Sequence, residues 1–273
     1  MSLDIVVYWA GQSWAKPKLA AFVAGLRKHG INPEERRAED WRRSDLAVVW
    51  AHRDKELHEL QRAAGNHYLV LERGYIGDLE NRRRWTSMGY DGLNGRANFC
   101  NADAGSARWE RHFAGFMQPW KADGDYALLM GQVRGDASIA DVNISEWYAE
   151  TAAHLSEQGW TVMFRPHPNA RAVAPDRAFA LVGSLEGALA SAAFVVTWNS
   201  TSGVDAVLAG VPTVAMDRGS MAWDVAAHGL DEKLITPDRV PWAERLAWCQ
   251  WNDDEIAGGL AWEHLRRKPD GRT

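Results

Sequence analysis

Arg165 and His167 lie in the stretch MFRPHPNA (163–170), each followed directly by a proline and both placed behind a short apolar run. Proline fixes its own φ and turns the residue before it away from the helical region, so both side chains leave extended, stiffened backbone. A guanidinium fork binds phosphate or carboxylate bidentately, and an imidazole can hydrogen-bond a phosphate or protonate a leaving oxygen. A plain turn after a strand would accommodate the same sequence. Two further polar clusters also follow apolar runs. GQVRGDAS (131–138) offers Gly131, Gln132 and Gly135 where backbone approaches closely, with Asp136 and Ser138 in the loop, residues equally suited to capping a short helix. NSTSG (199–203) carries Ser200, Thr201 and Ser202 toward a helix predicted to begin near Gly203. Hydroxyls and free N–H groups at a helix start make an anion site, and the same residues make an ordinary N-cap.

These clusters act together only if a scaffold brings several strand ends to one place, and the hydrophobic pattern predicts such a scaffold. In the first half, LDIVVYWAG (3–11), DLAVVW (45–50) and HYLVLERG (67–74) read as strands separated by helical patterns at 17–29 and 54–65. Residues 75–101 break into Gly, Asn, Arg and aromatics and read as a long loop, followed by one helical pattern at 106–117. QPWKADGD (118–125) has the composition of a linker. Beyond it, strands at 126–132, 160–168, 194–199 and 212–217 alternate with helices at 144–159, 184–192 and 202–210. Short apolar strands alternating with helices predict parallel sheets covered on both faces, with ligands near the strands' carboxyl ends. The predicted organisation is a domain at 1–122, a second at 123–240, and C-terminal helices at 241–273 packing over the domains.

Composition narrows the class. With 273 residues and 46% hydrophobic content, the chain is long enough for two domains. No run approaches the roughly 20 apolar residues of a membrane span and no secretory leader pattern is present, so a cytoplasmic protein is expected. Cys100 and Cys249 show no zinc or redox spacing, and no metal site is expected. Neither GxxxxGK[ST] nor GxGxxG after the first strand occurs, and NSTSG is not a GxSxG elbow. Charge divides unevenly: residues 1–122 carry 19 Lys and Arg against 15 Asp and Glu, whereas residues 123–273 carry 12 against 21. That asymmetry suits an anionic partner for the N-terminal half, or merely solvated helix faces.

GQVRGDASI, FRPHPNA and TWNSTSGVDAVLAGVPTVAMDRG together resemble the motif series of the capsule-polysaccharide biosynthesis glycosyltransferases, the group that includes bacterial β-Kdo transferases. LVLERGYIGD and SMGYDGLNG are similar to that group's acidic-Gly-aromatic and Asp-Gly segments. The resemblance spans nearly the whole chain, with its specific motifs in the C-terminal half. It implies an α/β, GT-B-like fold: two Rossmann-like doubly wound parallel-sheet domains facing across a cleft. It further implies a metal-independent glycosyltransferase with no tightly bound cofactor and a UDP- or CMP-sugar co-substrate. Gly131, Gln132, Arg165, His167, Ser200, Thr201, Ser202 and Asp217 would hold the donor, Asp205 being an alternative to Asp217 for the nucleoside. Asp136 would be the catalytic base or nucleophile, and His167 would assist departure of the phosphate. The chain departs from the family at MDRGSMAWDVAAHGL, so neither donor nor acceptor identity carries over.

Two acceptors fit. One is a capsule or surface glycan. The other is a hydroxymethylated pyrimidine in phage-type DNA, since NRRRW (81–85), Arg36, Arg37, Arg42 and Arg43 interleave cations with Trp41 and Trp85. Glu72, Arg73, Arg82, Arg83, Arg84 and Trp85 are the expected acceptor-side residues, although NRRRW also reads as a solvated loop with a packed Trp. A non-catalytic nucleotide-sugar binding module and a sugar-nucleotide epimerase are the alternatives to a transferase.

Overall fold

The computed structural model describes residues 3–267 except Ala10, Arg53, Asp78 and Arg171. The first part of the chain forms β1 (Ile5–Trp9), α1 (Lys16–Lys28), β2 (Glu34–Arg37), β3 (Leu46–Trp50), α2 (Lys55–Ala63), β4 (His67–Arg73), α3 (Leu79–Arg84), β5 (Trp85–Tyr90) and α4 (Ala107–His112). Next come β6 (Tyr126–Met130), α5 (Ile144–Glu157), β7 (Val162–Arg165), β8 (Phe179–Ala180), α6 (Leu185–Ala190), β9 (Ala192–Thr197), α7 (Ser202–Leu208) and β10 (Thr213–Ala215). The chain ends in α8 (Val240–Ala247), β11 (Gln250–Asn252), α9 (Asp253–Ala257) and α10 (Leu260–Leu265). Two units result, one closing at Arg108 and resuming at Glu244, the other spanning Trp109–Ala243.

The first unit holds a sheet of order β11-β5-β4-β3-β1-β2. Strands β1 to β4 are parallel, while β5 and β11 are antiparallel to their neighbours. All of β3 is buried, because helices cover both faces and leave no reason for polar alternation. Strand β2, sequence EERR, lies at the sheet edge and is mostly exposed, where charge blocks further pairing. Its charges hid it from hydrophobic pattern reading. The stretch 75–101, expected as a loop, contains α3 and the fully buried β5. Thr86, Ser87 and Gly89 make β5 look polar, yet a Cβ on Gly89 would come within 2.6 Å of the Ala97 Cβ.

The C-terminal segment corrects the expectation of helices alone at 241–273. Strand β11 joins the first unit's sheet, pairing Gln250 with Ser87 and Trp251 with Thr86. Arg108, 7% exposed, fastens it there: the guanidinium forks onto Glu255 at 2.7 and 2.9 Å, donates to the Gln250 carbonyl at 2.7 Å, and lies 4.1 Å from the Trp251 ring centre. Boundaries expected after residues 122 and 240 differ from the division of the units, which falls after Arg108 and Ala243. The expected linker at 118–125 is docked on the second unit by backbone bonds from Gln118 to Leu208 and from Lys121 to Gly210.

The second unit's sheet, order β10-β9-β6-β7-β8, is parallel throughout. Along β6, Ala127 and Leu129 face one core with Trp147, Tyr148 and Leu155, while Leu128 and Met130 face another with Leu189 and Ala206. A strand buried on both faces ends in backbone and side chains that need polar partners, which sets the terms for the site. Among the described residues, no helix is long and apolar enough to cross a membrane.

One buried group gives the first unit a pH signature. His58 of α2 is 1% exposed, packs against both His52 at 4.2 Å and Tyr68 at 4.1 Å, and has no hydrogen-bond partner on either ring nitrogen. Burial, reinforced by the charges of His52 and Arg62, pulls its pKa down from 6.5 to about 3. The folded state therefore binds fewer protons than the unfolded chain, and the neutral ring's contribution is lost as pH falls from about 6.5 toward 3. His58→Phe should gain about 1–2 kcal/mol relative to the parent between pH 7 and 5, read by denaturant melts at each pH.

Candidate functional site

In the second unit, the chain begins at β6, builds outward through β7 and β8, then returns to the other side of β6 to lay down β9 and β10. The order reverses between β6 and β9, and in such sheets ligands bind beyond the carboxyl ends at that switch point. Here β6 delivers Gly131 and Gln132, β7 delivers Arg165 and His167, and β9 delivers Asn199 and Ser200.

A buried amide pair joins β6 to β9. Gln132 Nε2 donates to Asn199 Oδ1 at 2.9 Å, and the Asn199 backbone N–H returns a bond to Gln132 Oε1 at 3.1 Å. Asn199 Nδ2 also donates to the Ser138 carbonyl at 2.8 Å and to Asp217 Oδ1 at 2.9 Å, and the same Asp217 oxygen accepts from Gly219 N at 2.9 Å. The Gln132 backbone N–H donates to Tyr148 OH at 2.6 Å, and burial pushes that phenol's pKa up. Gln132 and Asp217 thus act as supports that lock the loops after β6, β9 and β10. Nothing in the sequence distinguishes Asn199, at the network's centre, from the neighbouring hydroxyls of NSTSG, and Tyr148 has the pattern of any buried helical aromatic.

Gly131 has a steric reason. Its N–H donates to the Arg165 carbonyl at 2.8 Å, and a Cβ there would stand 3.0 Å from Pro166 Cα and 3.1 Å from His167 N. The end of β6 therefore lies directly against the ArgProHisPro backbone. His167 Nδ1 accepts the Asn169 backbone N–H at 3.1 Å, which leaves the neutral ring's proton on Nε2 as a donor. Arg165 Nη2 donates to the Gly183 carbonyl at 3.3 Å, while its Nε is buried without an acceptor. Burial lowers the Arg165 pKa and the charge of Asp205, in the first turn of α7, opposes the shift. Arg165 is thus a cation with an unused buried donor, which suits an anionic ligand.

The start of α7 differs from the expected anion site. Ser202 N donates to Ser200 Oγ at 3.2 Å, Gly203 N to the Ser200 carbonyl at 2.9 Å, and Val204 N to the Thr201 carbonyl at 2.9 Å. The first amides are occupied within the turn, so Ser200 and Ser202, whose hydroxyls are 3.0 Å apart, offer oxygens and the chain offers few free N–H groups. Asp136 is exposed and caps the short 3-10 turn Ala137–Ile139, its Oδ1 accepting from Ser138 N at 2.9 Å and Ser138 Oγ at 2.8 Å. Both bonds fall on one oxygen, leaving Oδ2 for another role. Gly135 makes this loop possible with φ of +78°.

The residues expected on the acceptor side lie in the first unit. Glu72 and Arg73 end β4, Arg82, Arg83 and Arg84 close α3, and Trp85 opens β5 at 8% exposure. Arg36 and Arg42, counted as cations for a phosphate track, are instead paired internally, Arg36 with Glu34 and Arg42 with both Asp4 and Glu34.

No family model matches the chain, and no curated protein matches it in sequence. Among solved structures it is similar to the β-Kdo 2,4-transferase of Thermosulfurimonas dismutans KpsC, with TM-score 0.60 and 12% identity over 91% of this chain and 90% of that one. The β-Kdo 2,7-transferase of the same KpsC gives TM-score 0.56 and 13% identity over 95% and 99%. The α/β fold of two Rossmann-like units is thus one that solved glycosyltransferases also use.

Asn199→Ala removes the group that satisfies Gln132 and Asp217 together. A loss of about 1–3 kcal/mol in urea unfolding of the second unit is expected, since buried polar partners would be left unpaired.

Proposed function

We propose that this protein is a glycosyltransferase moving a sugar from a UDP- or CMP-sugar donor to an acceptor hydroxyl, with the donor held by the second unit. The observation that carries this reading is the convergence at one switch point of Arg165, with an unused buried donor, and His167, with its proton directed to Nε2. Similarity in fold to the two β-Kdo transferase modules supports it. In the proposed reaction, the acceptor oxygen bonds to the anomeric carbon as the bond to the donor phosphate breaks. Arg165 and His167 take up the developing phosphate charge. In inversion Asp136 Oδ2 removes the acceptor proton during that single displacement; in retention Asp136 Oδ2 first displaces the phosphate from the anomeric carbon, and the acceptor oxygen then displaces Asp136, its proton passing to the departed phosphate. Ser200 and Ser202 supply hydroxyls to the donor, while Gln132, Asn199 and Asp217 hold the loops that carry these groups.

A glycan is the proposed acceptor. The internal pairing of Arg36 and Arg42 with Glu34 and Asp4 removes part of the cationic track that a DNA backbone would need. DNA containing hydroxymethylated pyrimidines is therefore a comparison arm in the test.

UDP- and CMP-sugars would be offered with surface glycans or with that DNA, and products read by mass spectrometry. A sugar-sized mass gain on glycan is expected. Asp136→Asn should lose about 100-fold or more in turnover while donor still raises Tm. Conversion of donor without any acceptor would instead establish an epimerase, and a donor-dependent Tm shift with no product in any arm would establish a binding module.

A further inference from the structure

The two faces of the first unit's sheet are covered unequally. One face buries Leu19, Phe22 and Leu26 of α1 together with Ile256 of α9 and Trp262 of α10. The other packs Val6, Tyr8, Val49 and Tyr68 with Leu57 of α2. Of the three side chains that α2 buries, Leu57, His58 and Gln61, Leu57 alone is apolar. Gln61 is well satisfied: Nε2 donates to the Ser44 and His67 carbonyls at 2.9 Å each, and Oε1 accepts the Ser44 N–H at 3.2 Å. His58 makes no such bond, and its ring lies against His52, from the loop after β3, and Tyr68 of β4. The Tyr68 hydroxyl stands 3.3 Å from His52 Nε2 and accepts from Arg62 Nη2 at 3.0 Å. The charges acting on His58 are those of His52 and Arg62, and on His52 those of Arg62 and Lys55, all of one sign. Asp91, the carboxylate that acts on Tyr68, is held by His67 at 2.5 Å and by the Tyr68 backbone N–H at 3.0 Å.

We propose that α2 is an acid-sensitive flap: protonation of the His52 and His58 pair undocks it from the sheet while the opposite face stays folded. A proton on either ring of the docked helix sits in a desolvated site among like charges, whereas in the undocked helix the same ring is in water. Burial holds both imidazoles below their ordinary 6.5, so the docked state binds fewer protons than the undocked one. Acid therefore draws the equilibrium toward undocking, by up to about tenfold per histidine for each unit that pH falls below about 6. The response is local because α2 is nine residues long and anchored by one apolar side chain, whereas α1 buries Leu19, Phe22, Val23 and Leu26. Elements with few buried apolar contacts open before the rest of a domain does. Undocking uncovers the face that carries Val6, Tyr8, Val49 and Tyr68.

The test is amide hydrogen exchange of the full chain, read by mass spectrometry from about pH 7 to about pH 5 and corrected for the intrinsic pH dependence of exchange. Peptides covering 55–63 report on α2 and those covering 16–28 on α1. Protection in α2 is expected to fall about tenfold or more over that range while protection in α1 holds. Each variant is scaled to its own protection at about pH 7, so that altered packing by itself does not count as an altered acid response. On that scale His58→Phe should keep α2 about tenfold better protected than the parent at about pH 5, and His52→Phe should do so to a smaller degree. Where His58→Phe does not fold, the His52→Phe profile decides. Parallel loss of protection in α1 and α2 would make the acid response global and overturn the proposal. So would α2 protection that stays level down to about pH 5, or a scaled profile that the substitutions leave unchanged.

Discussion

The Gln132–Asn199 amide pair is the interaction on which the second unit's site depends. Strand β6 is central in its sheet and buried on both faces, so its carboxyl end must turn outward among groups that lost their water. Reciprocal bonds between the Gln132 side-chain amide and the side chain and backbone of Asn199 satisfy that end and the end of β9 together, and Asn199 Nδ2 extends the tie to Ser138 and Asp217. A fully satisfied polar network in a low-dielectric setting is rigid, because any rearrangement strands a donor or an acceptor. The loops bearing Asp136, Ser200 and Asp217 are thereby fixed relative to the sheet, while Gly131 lets the ArgProHisPro segment lie against it.

Rigidity in this support is matched by unspent hydrogen-bonding capacity at Arg165 and Asp136. Arg165 has an unused buried Nε, His167 has its proton placed on Nε2 by the Asn169 amide, and Asp136 spends one oxygen on capping. The support and the groups proposed to react are thus different residues on the same strand ends. Such a division allows the chemistry to vary while the frame stays fixed, the usual way one α/β fold serves many reactions.

The first unit handles charge differently. Arg108 is buried and wholly committed to Glu255 and two carbonyls, so it serves to fasten the C-terminal strand and leaves no charge for a ligand. Arg36 and Arg42 are committed to Glu34 and Asp4 at the sheet edge. Arg73 and Arg83, by contrast, form no ion pair with a carboxylate among the described residues, and Arg73 lies instead 4.6 Å from the Trp14 ring centre. A net charge summed over 122 residues does not distinguish a committed arginine from an uncommitted one.

The apolar runs at 5–9, 46–50 and 126–130 and the glycines and prolines between them determined the alternation of strands and helices, because burial on both faces admits only continuous hydrophobic strands. The two prolines of ArgProHisPro likewise determined that Arg165 and His167 leave extended backbone, a purely local steric effect. Strands β2, β5 and β11 were decided by tertiary structure: EERR survives as an edge, WTSMGY as a polar-looking strand between β4 and β11, and QWN only because Arg108 draws the C-terminal segment into the first unit's sheet. The same holds at the site. That a serine, a glutamine or an aspartate stands at a strand end is written in the chain, but whether its oxygen is spent on a neighbour is not. Ser200 and Ser202 bond each other, Gln132 and Asp217 are absorbed by Asn199, and Asp136 keeps one oxygen. Gln132 and Asn199 lie 67 residues apart and Asn199 and Asp217 18 apart, separations that carry no local periodicity, and even the bonds between near neighbours such as Ser200 and Ser202 depend on the turn the fold imposes.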